Sequence, residues 1–412
     1  MRILLISQYF FPEQFSNNAI AKELVRRGHE VDAVTCVPNY PAGKFFDGYS
    51  NRSKRNERWN DVNIHRAFTV ARGKRSLSLI ANYLTFPVAA SWTMIRRLKT
   101  KPAVSFVSMP SPLLQALAGI FLKKWRGVPC VYWVQDIWPE SAVYTLGIRN
   151  RFVIAVLNAV CGWIYRQADL VLVQSNGFPP MIERFGVSRS RIRVFPNTAP
   201  DTYRPVSPTA APEQAQLIRL AGFRLMFAGN IGESQDFDNL VEAVDLLDDA
   251  TDLLVVIIGS GRDEERVKRK IAERGLQKRF QFLGRHPEET MPLFFAHADA
   301  LLVSLKDTPI FSLTVPYKVQ CYMACGKPII AALNGEGAKI ITESGAGLVA
   351  KASDPETLAA NIRTMMQEPK DRVALMGARG RQYFDEHFAA DKVYDKLELW
   401  LKEAAGKGDG MP

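Results

Sequence analysis

The sequence predicts an α/β protein of two domains, each built on a doubly wound parallel sheet. Three observations carry that prediction. The chain has 412 residues, long for a single hydrophobic core. Short continuous apolar runs, the pattern of strands buried on both faces, alternate with amphipathic stretches. A proline-rich segment, about 196–222, splits the alternation into two series.

The first series opens with the apolar run from Arg2 to Ser7, a polar loop with Pro12, and a helix pattern from about Ser16 to Arg27 with Ile20, Leu24 and Val25 on one face. Gly28 stops it and Val31–Thr35 is the next strand. Further strands are expected at 103–108, 128–134 and 169–174. Pro196, Pro200, Pro205, Pro208 and Pro212 mark an expected interdomain linker. The second series has strands near 224–228, 253–258, 280–283, 300–303 and 328–331. Its helices fall near 236–247, 262–274, 289–296, 316–324 and 355–368. The domains are set at 1–200 and 201–384, with a last helix over 385–402. A ligand in such a fold is expected at the carboxyl ends of the strands.

Composition is ordinary for a globular chain, 47% hydrophobic and 23% charged, with a polar tail from about Gly406. The net charge of +11 is uneven: residues 1–200 carry 27 Lys/Arg against 11 Asp/Glu, and the remainder carries 26 against 31. A basic first half suits an anionic membrane face, an anionic lipid or nucleic acid. No nucleic-acid module or aromatic-basic stripe accompanies the charge, so nucleic acid ranks last. Cys36, Cys130, Cys161, Cys321 and Cys325 form no CxxC pair, and Met1-Arg2 leads straight into an apolar strand. Reduced core thiols and a cytoplasmic location are expected.

Residues 76–100 are strongly apolar, from Leu77 through Ile80, Leu84 and Trp92 to Ile95, with Pro87 interrupting the run. Arg72, Lys74 and Arg75 precede it, and Arg96, Arg97, Lys99 and Lys101 close it. A second stretch, Pro112–Leu122, ends in Lys123, Lys124 and Arg126. One is broken by proline and the other is about half the length of a membrane span. They read as helices lying in a membrane interface beneath a basic collar, or as core helices with solvated basic ends.

Gln8–Glu13 follows the first strand without a glycine; it is a plain βα loop or part of an acceptor pocket holding Glu13. In Trp133-Val134-Gln135-Asp136-Ile137-Trp138-Pro139-Glu140, a carboxylate at a strand end is flanked by two tryptophans. Indole rings suit the C–H face of a sugar, and Asp136 or Glu140 can steer an acceptor hydroxyl proton. Alternatively, Asp136 caps the following helix.

In the second half, Phe227-Ala228-Gly229-Asn230-Ile231-Gly232 and Ile258-Gly259-Ser260-Gly261-Arg262 each follow a strand and precede a helix. Their glycines and free N–H groups suit a diphosphate. Arg285, past the strand near 280–283, joins the donor-facing set. Pro316–Ile330 reads as a short helix ending at Gly326, with Lys318 beside its anion-attracting start.

These blocks resemble the retaining GT-B glycosyltransferases of family 4, and among them the transferases of bacterial O-antigen and capsule assembly, such as those for N-acetylfucosamine. The similarity runs through Ile6-Ser7-Gln8-Tyr9-Phe10, Pro12-Glu13, Arg27–Val31, Val37–Pro41, Gln135–Glu140, Phe195–Asn197 and Gly229–Gly232 to Tyr322-Met323-Ala324 and Gly326-Lys327-Pro328. The resemblance implies two Rossmann-like domains facing a cleft, a UDP-sugar held by the second, and an undecaprenyl-diphosphate-linked acceptor at the first. It further implies transfer with retention, no metal, peripheral attachment at the inner face of the cytoplasmic membrane, and a last helix returning to the first domain.

Two positions depart from that family. The carboxylate that binds the nucleotide ribose should fall at Cys321, and its partner eight residues earlier is Leu313. Glu233-Ser234-Gln235-Asp236 stands where a pair of basic residues is usual. A thiol is a weak hydrogen-bond partner, so other groups must hold the ribose. Two further readings follow: a donor- or lipid-binding subunit with weakened catalysis, favoured by Cys321, and a UDP-sugar 2-epimerase on the same fold, which needs no membrane-seeking helix.

Overall fold

The computed structural model describes residues 1–73, 76–219, 222–247 and 252–408. Lys74 and Arg75, and the tail beyond residue 408, lie outside the described residues. The chain forms two compact units: residues 1–196 together with the segment from Tyr394 on, and Asn197–Val393.

The first unit holds β1 (Arg2–Ile6), α1 (Ser16–Arg26), β2 (Glu30–Thr35), β3 (Asn56–Trp59), β4 (Val62–Arg66), α2 (Ser76–Arg97), β5 (Val104–Met109), α3 (Ala116–Arg126), β6 (Cys130–Val134), α4 (Glu140–Leu146), α5 (Arg151–Arg166), β7 (Leu170–Val173), α6 (Pro179–Glu183) and β8 (Ile192–Val194). Its sheet runs β3-β4-β2-β1-β5-β6-β7-β8, parallel except for the β3–β4 pair. The runs Arg2–Ile6, Val104–Met109 and Cys130–Val134 are almost wholly buried, as helices on both faces of a parallel sheet require. From β4, β5 and β6 the chain steps in one direction along the sheet, so right-handed crossovers place α2, α3 and α5 on the same face. The step from β1 to β2 goes the other way and puts α1 on the opposite face.

The second unit holds α7 (Pro212–Leu217), β9 (Phe223–Ala228), α8 (Phe237–Asp245), β10 (Leu253–Ile258), α9 (Glu264–Glu273), β11 (Phe280–Gly284), α10 (Met291–Ala296), β12 (Ala300–Ser304), α11 (Pro309–Ser312), α12 (Tyr317–Ala324), β13 (Ile329–Ala332), α13 (Gly335–Ser344), β14 (Gly347–Ala350), α14 (Pro355–Gln367) and α15 (Lys370–His387). All six strands are parallel, in the order β11-β10-β9-β12-β13-β14. Strand alternation divides its core in two. Met226, Leu254, Val256 and Ile258 pack on one face, and Leu225, Phe227, Val255 and Ile257 on the other. Each such side chain contributes about 1.5–3 kcal/mol by leaving water.

The proline-rich segment is not a free tether. Tyr203, Ala211 and Ile218 are buried in the core of the second unit, and His297 Nε2 meets the Ala211 carbonyl at 2.7 Å. The expected helix over 385–402 is instead two: α15 ends at His387, and α16 spans Ala390–Gly408. Within the first unit, Arg27 ties α16 to α1 through Asp395 (2.5 Å) and Glu398 (3.0 Å). Leu397 and Leu401 are fully buried.

Pro87 does not break α2, which runs unbroken through it. Asn82, Phe86, Ala90 and Met94 are buried, while Leu77, Ile80, Leu84, Val88, Trp92 and Ile95 form an exposed stripe. Arg96 and Lys99 are exposed, with Arg96 4.8 Å from the Trp92 ring centroid. Arg97 and Lys99 also line a cavity of about 440 Å³ with Arg2, Asp32 and His65. The second apolar stretch has a different fate: Leu113, Ala116, Ala118, Ile120 and Leu122 are core residues, and only the end of α3 reaches solvent. Among the described residues, no helix is long and apolar enough to cross a membrane.

Candidate active site

In the second unit, three strand-end loops lie edge to edge and extend the sheet's ladder. Gly229 N–H donates to Ile258 O (2.8 Å), Ile231 N–H to Ser260 O (3.0 Å) and Gly259 N–H to Gly284 O (2.7 Å). That packing accounts for two of the glycines. A Cβ on Gly259 would meet Gly229 O at 1.9 Å, and one on Gly261 would meet Ile231 O at 1.9 Å. Neighbouring backbone therefore demands glycine at both positions. Gly232 would meet only the movable Asn230 amide.

Gly229 differs. It is exposed, has φ of +140°, and a Cβ there would meet Lys318 Cε at 2.7 Å. Lys318 follows the first residue of α12, a helix whose start no side chain caps. The Tyr322 hydroxyl, accepting from Ala228 N–H at 3.2 Å, fixes α12 against the end of β9. Lys318 Nζ donates to Gln235 Oε1 and sits 3.9 Å from the Phe227 ring centroid. Burial pushes its ammonium down to about 7. Among the described residues no carboxylate pairs with it. Of the acids nearby along the chain, Glu233 is paired with Lys306 at 2.7 Å and Asp238 with Arg266 and Lys270, both at 2.8 Å, while Asp236 accepts from the Ser353 hydroxyl at 2.6 Å. The result is a loop edge beside a cation that no carboxylate pairs with, which suits an anionic ligand. Asn230, Arg262 and Arg285 are exposed on the same three loops.

Cys321 is 3% exposed. Its thiol faces the hydroxyls of Tyr317 and Tyr203, with Glu288 and Cys325 near, and burial pushes it well up from its ordinary range. Tyr317 is exposed beside it. The tyrosines and Glu288 come from separate segments, so sequence spacing gave no sign of this cluster; only Tyr317, adjoining Lys318, was within reach.

In the first unit, Asp136 stands in the loop after β6, more than a third exposed and with no hydrogen-bonding partner among the described residues. The protein around it withdraws enough water to push its carboxyl up to about 6. It caps no helix: α4 begins at Glu140. Glu140 is paired with Arg184, so it is not a free proton acceptor. Trp133 is 1% exposed, wedged between Phe106 and Phe195, and cannot stack on a sugar. β6 is covered on both faces, so its side chains are enclosed whichever way they point. Trp138 is half-buried, with its backbone N–H and carbonyl both bonded to the Tyr165 hydroxyl at 3.3 Å. Glu13 is buried too. It accepts from the N–H groups of Phe10 (3.3 Å), Asn39 (2.8 Å) and Tyr40 (2.7 Å), bracing the loops after β1 and β2 instead of reaching a ligand. Burial outweighs those three donors and pushes its carboxyl up to about 7.

The five cysteines are free and buried. Among the described residues no group of three or more His, Cys, Asp or Glu is placed to hold a metal ion.

Comparison with known proteins places both units in known families. The Glycosyl transferases group 1 family matches residues 213–382, and the Glycosyl transferase 4-like domain family matches residues 16–198. The putative colanic acid biosynthesis glycosyl transferase WcaI of Escherichia coli (strain K12) is 24% identical over 386 residues, 90% of this chain and 93% of that one. Sucrose-phosphate synthase of Thermosynechococcus elongatus shares the fold at a TM-score of 0.74 and 16% identity, over 98% of each chain. HepE of Anabaena, solved in complex with UDP, does so at 0.71 and 16%, over 98% of this chain and all of that one. With a 4-like first unit, a group 1 second unit and both sheets of the fold in place, the chain belongs to the GT-B glycosyltransferases of family 4.

Proposed function

We propose that this glycosyltransferase moves a sugar, an N-acetylated 6-deoxyhexose, from UDP to a lipid-linked saccharide in bacterial surface-polysaccharide synthesis, with retention of anomeric configuration. The observation that carries the donor half is Lys318, poised over the Gly229 loop with no carboxylate partner. It supplies the positive charge that Glu233-Ser234-Gln235-Asp236 lacks, and the uncapped start of α12 adds N–H donors for the diphosphate. HepE, which shares the fold, is solved with UDP, and WcaI is named for polysaccharide synthesis. Cys321 is too buried to hold a ribose; Tyr317 and Glu288 are the groups beside it that can.

Asp136 is the group suited to receive or orient the acceptor hydroxyl, being exposed, unpaired and close to neutral pH in its titration. The lipid-linked acceptor and a site of action at the inner face of the cytoplasmic membrane draw support from α2, whose exposed apolar stripe ends in Arg96 and Arg97, as a helix docked on an anionic interface requires.

A thermal-shift panel of nucleotide sugars tests the reading, since a ligand that binds only the folded state raises its apparent stability. UDP-sugars should raise the melting temperature and GDP-sugars should not. No shift with any nucleotide sugar would overturn it.

A further inference from the structure

Helix α5 departs from what a surface helix in this fold should be. Its sequence, Arg151-Phe-Val-Ile-Ala-Val-Leu-Asn-Ala-Val-Cys-Gly-Trp-Ile-Tyr-Arg166, is apolar through the middle, yet only its last turns are buried, at Cys161, Gly162, Ile164 and Tyr165. Over the preceding turns Phe152 (77%), Val153, Val156 and Val160 are exposed, and Trp163 continues the same stripe. An amphipathic helix of a water-facing domain turns polar residues outward. Here the outward residues are valine, phenylalanine and tryptophan, and Asn158 bonds back to the Ile154 carbonyl at 2.9 Å.

The charges around this stripe have one sign. Neither α5, α2 nor α3 contains an Asp or Glu, and these three helices share one face of the sheet. Arg149 and Arg151 are exposed at the start of α5. At its far end Lys124 stands 5.7 Å from the Trp163 ring, and Arg126 stands 4.1 Å from that of Trp125. The acids flanking the helix along the chain, Glu140 and Asp169, are occupied by Arg184 and Lys123.

We infer that α5 is a second membrane-docking helix, its Phe152–Val160 stretch lying among the acyl chains of an anionic bilayer while the arginines and lysines at its two ends engage the headgroups. The proposal rests on the membrane reading of α2 and extends it. Two acid-free helices presented by one layer give two separated points of contact, which fixes the tilt of the first unit on the membrane. One helix alone would leave the unit free to rock.

The test is co-sedimentation of the full chain with vesicles of phosphatidylglycerol mixed with phosphatidylcholine, and with phosphatidylcholine alone. Wild type should bind the anionic vesicles, more weakly as salt rises. The triple variant Phe152→Gln, Val156→Gln, Val160→Gln alters only exposed side chains; it should melt like wild type and bind about tenfold or more weakly. A second reading avoids dependence on that variant. With Val156→Cys labelled by an environment-sensitive fluorophore, emission should shift to the blue on the anionic vesicles alone.

If the triple variant binds like wild type and the label stays aqueous, while Arg96→Glu with Arg97→Glu releases the protein, the α5 proposal is overturned and α2 docking survives. Loss in the triple variant with no effect of the α2 charge reversals would overturn the α2 reading and with it the two-point docking, leaving α5 as a lone contact. Equal binding to pure phosphatidylcholine, or a self-association that the triple variant abolishes in protein without vesicle affinity, would overturn the proposal outright.

Discussion

Lys318 and Gly229 share one space. The residue at 229 has φ of +140°, and any Cβ on it would come within 2.7 Å of Lys318 Cε, so the lysine lies where it does because its neighbour has no side chain. Gly229→Ala therefore strains a backbone conformation that L-residues avoid, at about 1–3 kcal/mol, and pushes the ammonium off its perch. A lower melting temperature and roughly tenfold weaker UDP-sugar binding are expected. Gly232→Ala is the control, since its Cβ meets only the Asn230 amide. Equal losses in both variants would show that any side chain added to this loop, and not the place of Lys318, is what matters.

Lys318 also sets a pH dependence. Burial lowers its folded-state value from 10.5 to about 7, so between those limits the unfolded chain binds the extra proton and this group makes stability rise with pH. A diphosphate prefers the protonated lysine, so donor affinity runs the other way. It should be greatest below about pH 7 and fall by up to about tenfold per unit above it. Calorimetry with UDP-glucose, whose diphosphate does not titrate in that range, should detect proton uptake near pH 8. Lys318→Met should bind weakly with a flat profile; a wild-type profile that is already flat would remove the lysine from the anion site.

Much of the fold was legible in the sequence because parallel strands buried on both faces are written as apolar runs. Leu253–Ile258 was read to the residue, and β9, β11, β12 and β13 to within one residue at either end. The antiparallel pair β3–β4 was missed because its residues, as in Asn56–Trp59, are polar and partly exposed at the sheet edge. β14 is four residues long, and Gly347, which opens it, hides the pattern. The places of the motif residues along the chain were legible, but the surroundings of their side chains were not. Trp133 and Asp136 lie three apart in one block, yet the tryptophan is enclosed because β6 is covered on both faces, while the acid stands exposed beyond the strand's end. Glu13 carries the same lesson: nothing in Pro12-Glu13 announces three backbone N–H groups converging on one carboxylate.

Leu401 tests whether α16 is part of the first unit's core. It is fully buried, as is Leu397 one turn earlier. Leu401→Ala should cost about 2–5 kcal/mol by lost burial and a residual cavity. Calorimetry should show one transition lowered. An unchanged thermogram would mean that the helix is held by the polar ties of Arg27 and His29 and not by burial.

Cys321 offers a direct trial of the proposed ribose site. Cys321→Glu restores the family's usual residue, but it buries a carboxylate against Tyr317 and Tyr203 with Glu288 near. Repulsion and desolvation then oppose ionisation. The expected outcome is a lower melting temperature and weaker UDP binding, whereas Cys321→Ser should stay close to wild type. Tighter UDP binding by the glutamate variant would show instead that the pocket still has the family's shape.

Asp136 carries the heaviest claim on chemistry. Its carboxyl is exposed enough to meet a substrate and sufficiently dehydrated to titrate at about 6. A group that takes or orients the acceptor proton must be ionised, so turnover should rise with pH through about 6 and level off above it. Asp136→Asn should lower turnover by about 10²–10⁴-fold, abolish that rise, and leave the UDP-sugar thermal shift intact. Glu140→Gln makes the contrast. Its partner Arg184 loses an ion pair, so stability should drop while the pH profile keeps its shape. If Asp136→Asn retained wild-type turnover and Glu140→Gln did not, the roles of the two acids would be reversed, and Arg184 would have to release Glu140 during the reaction.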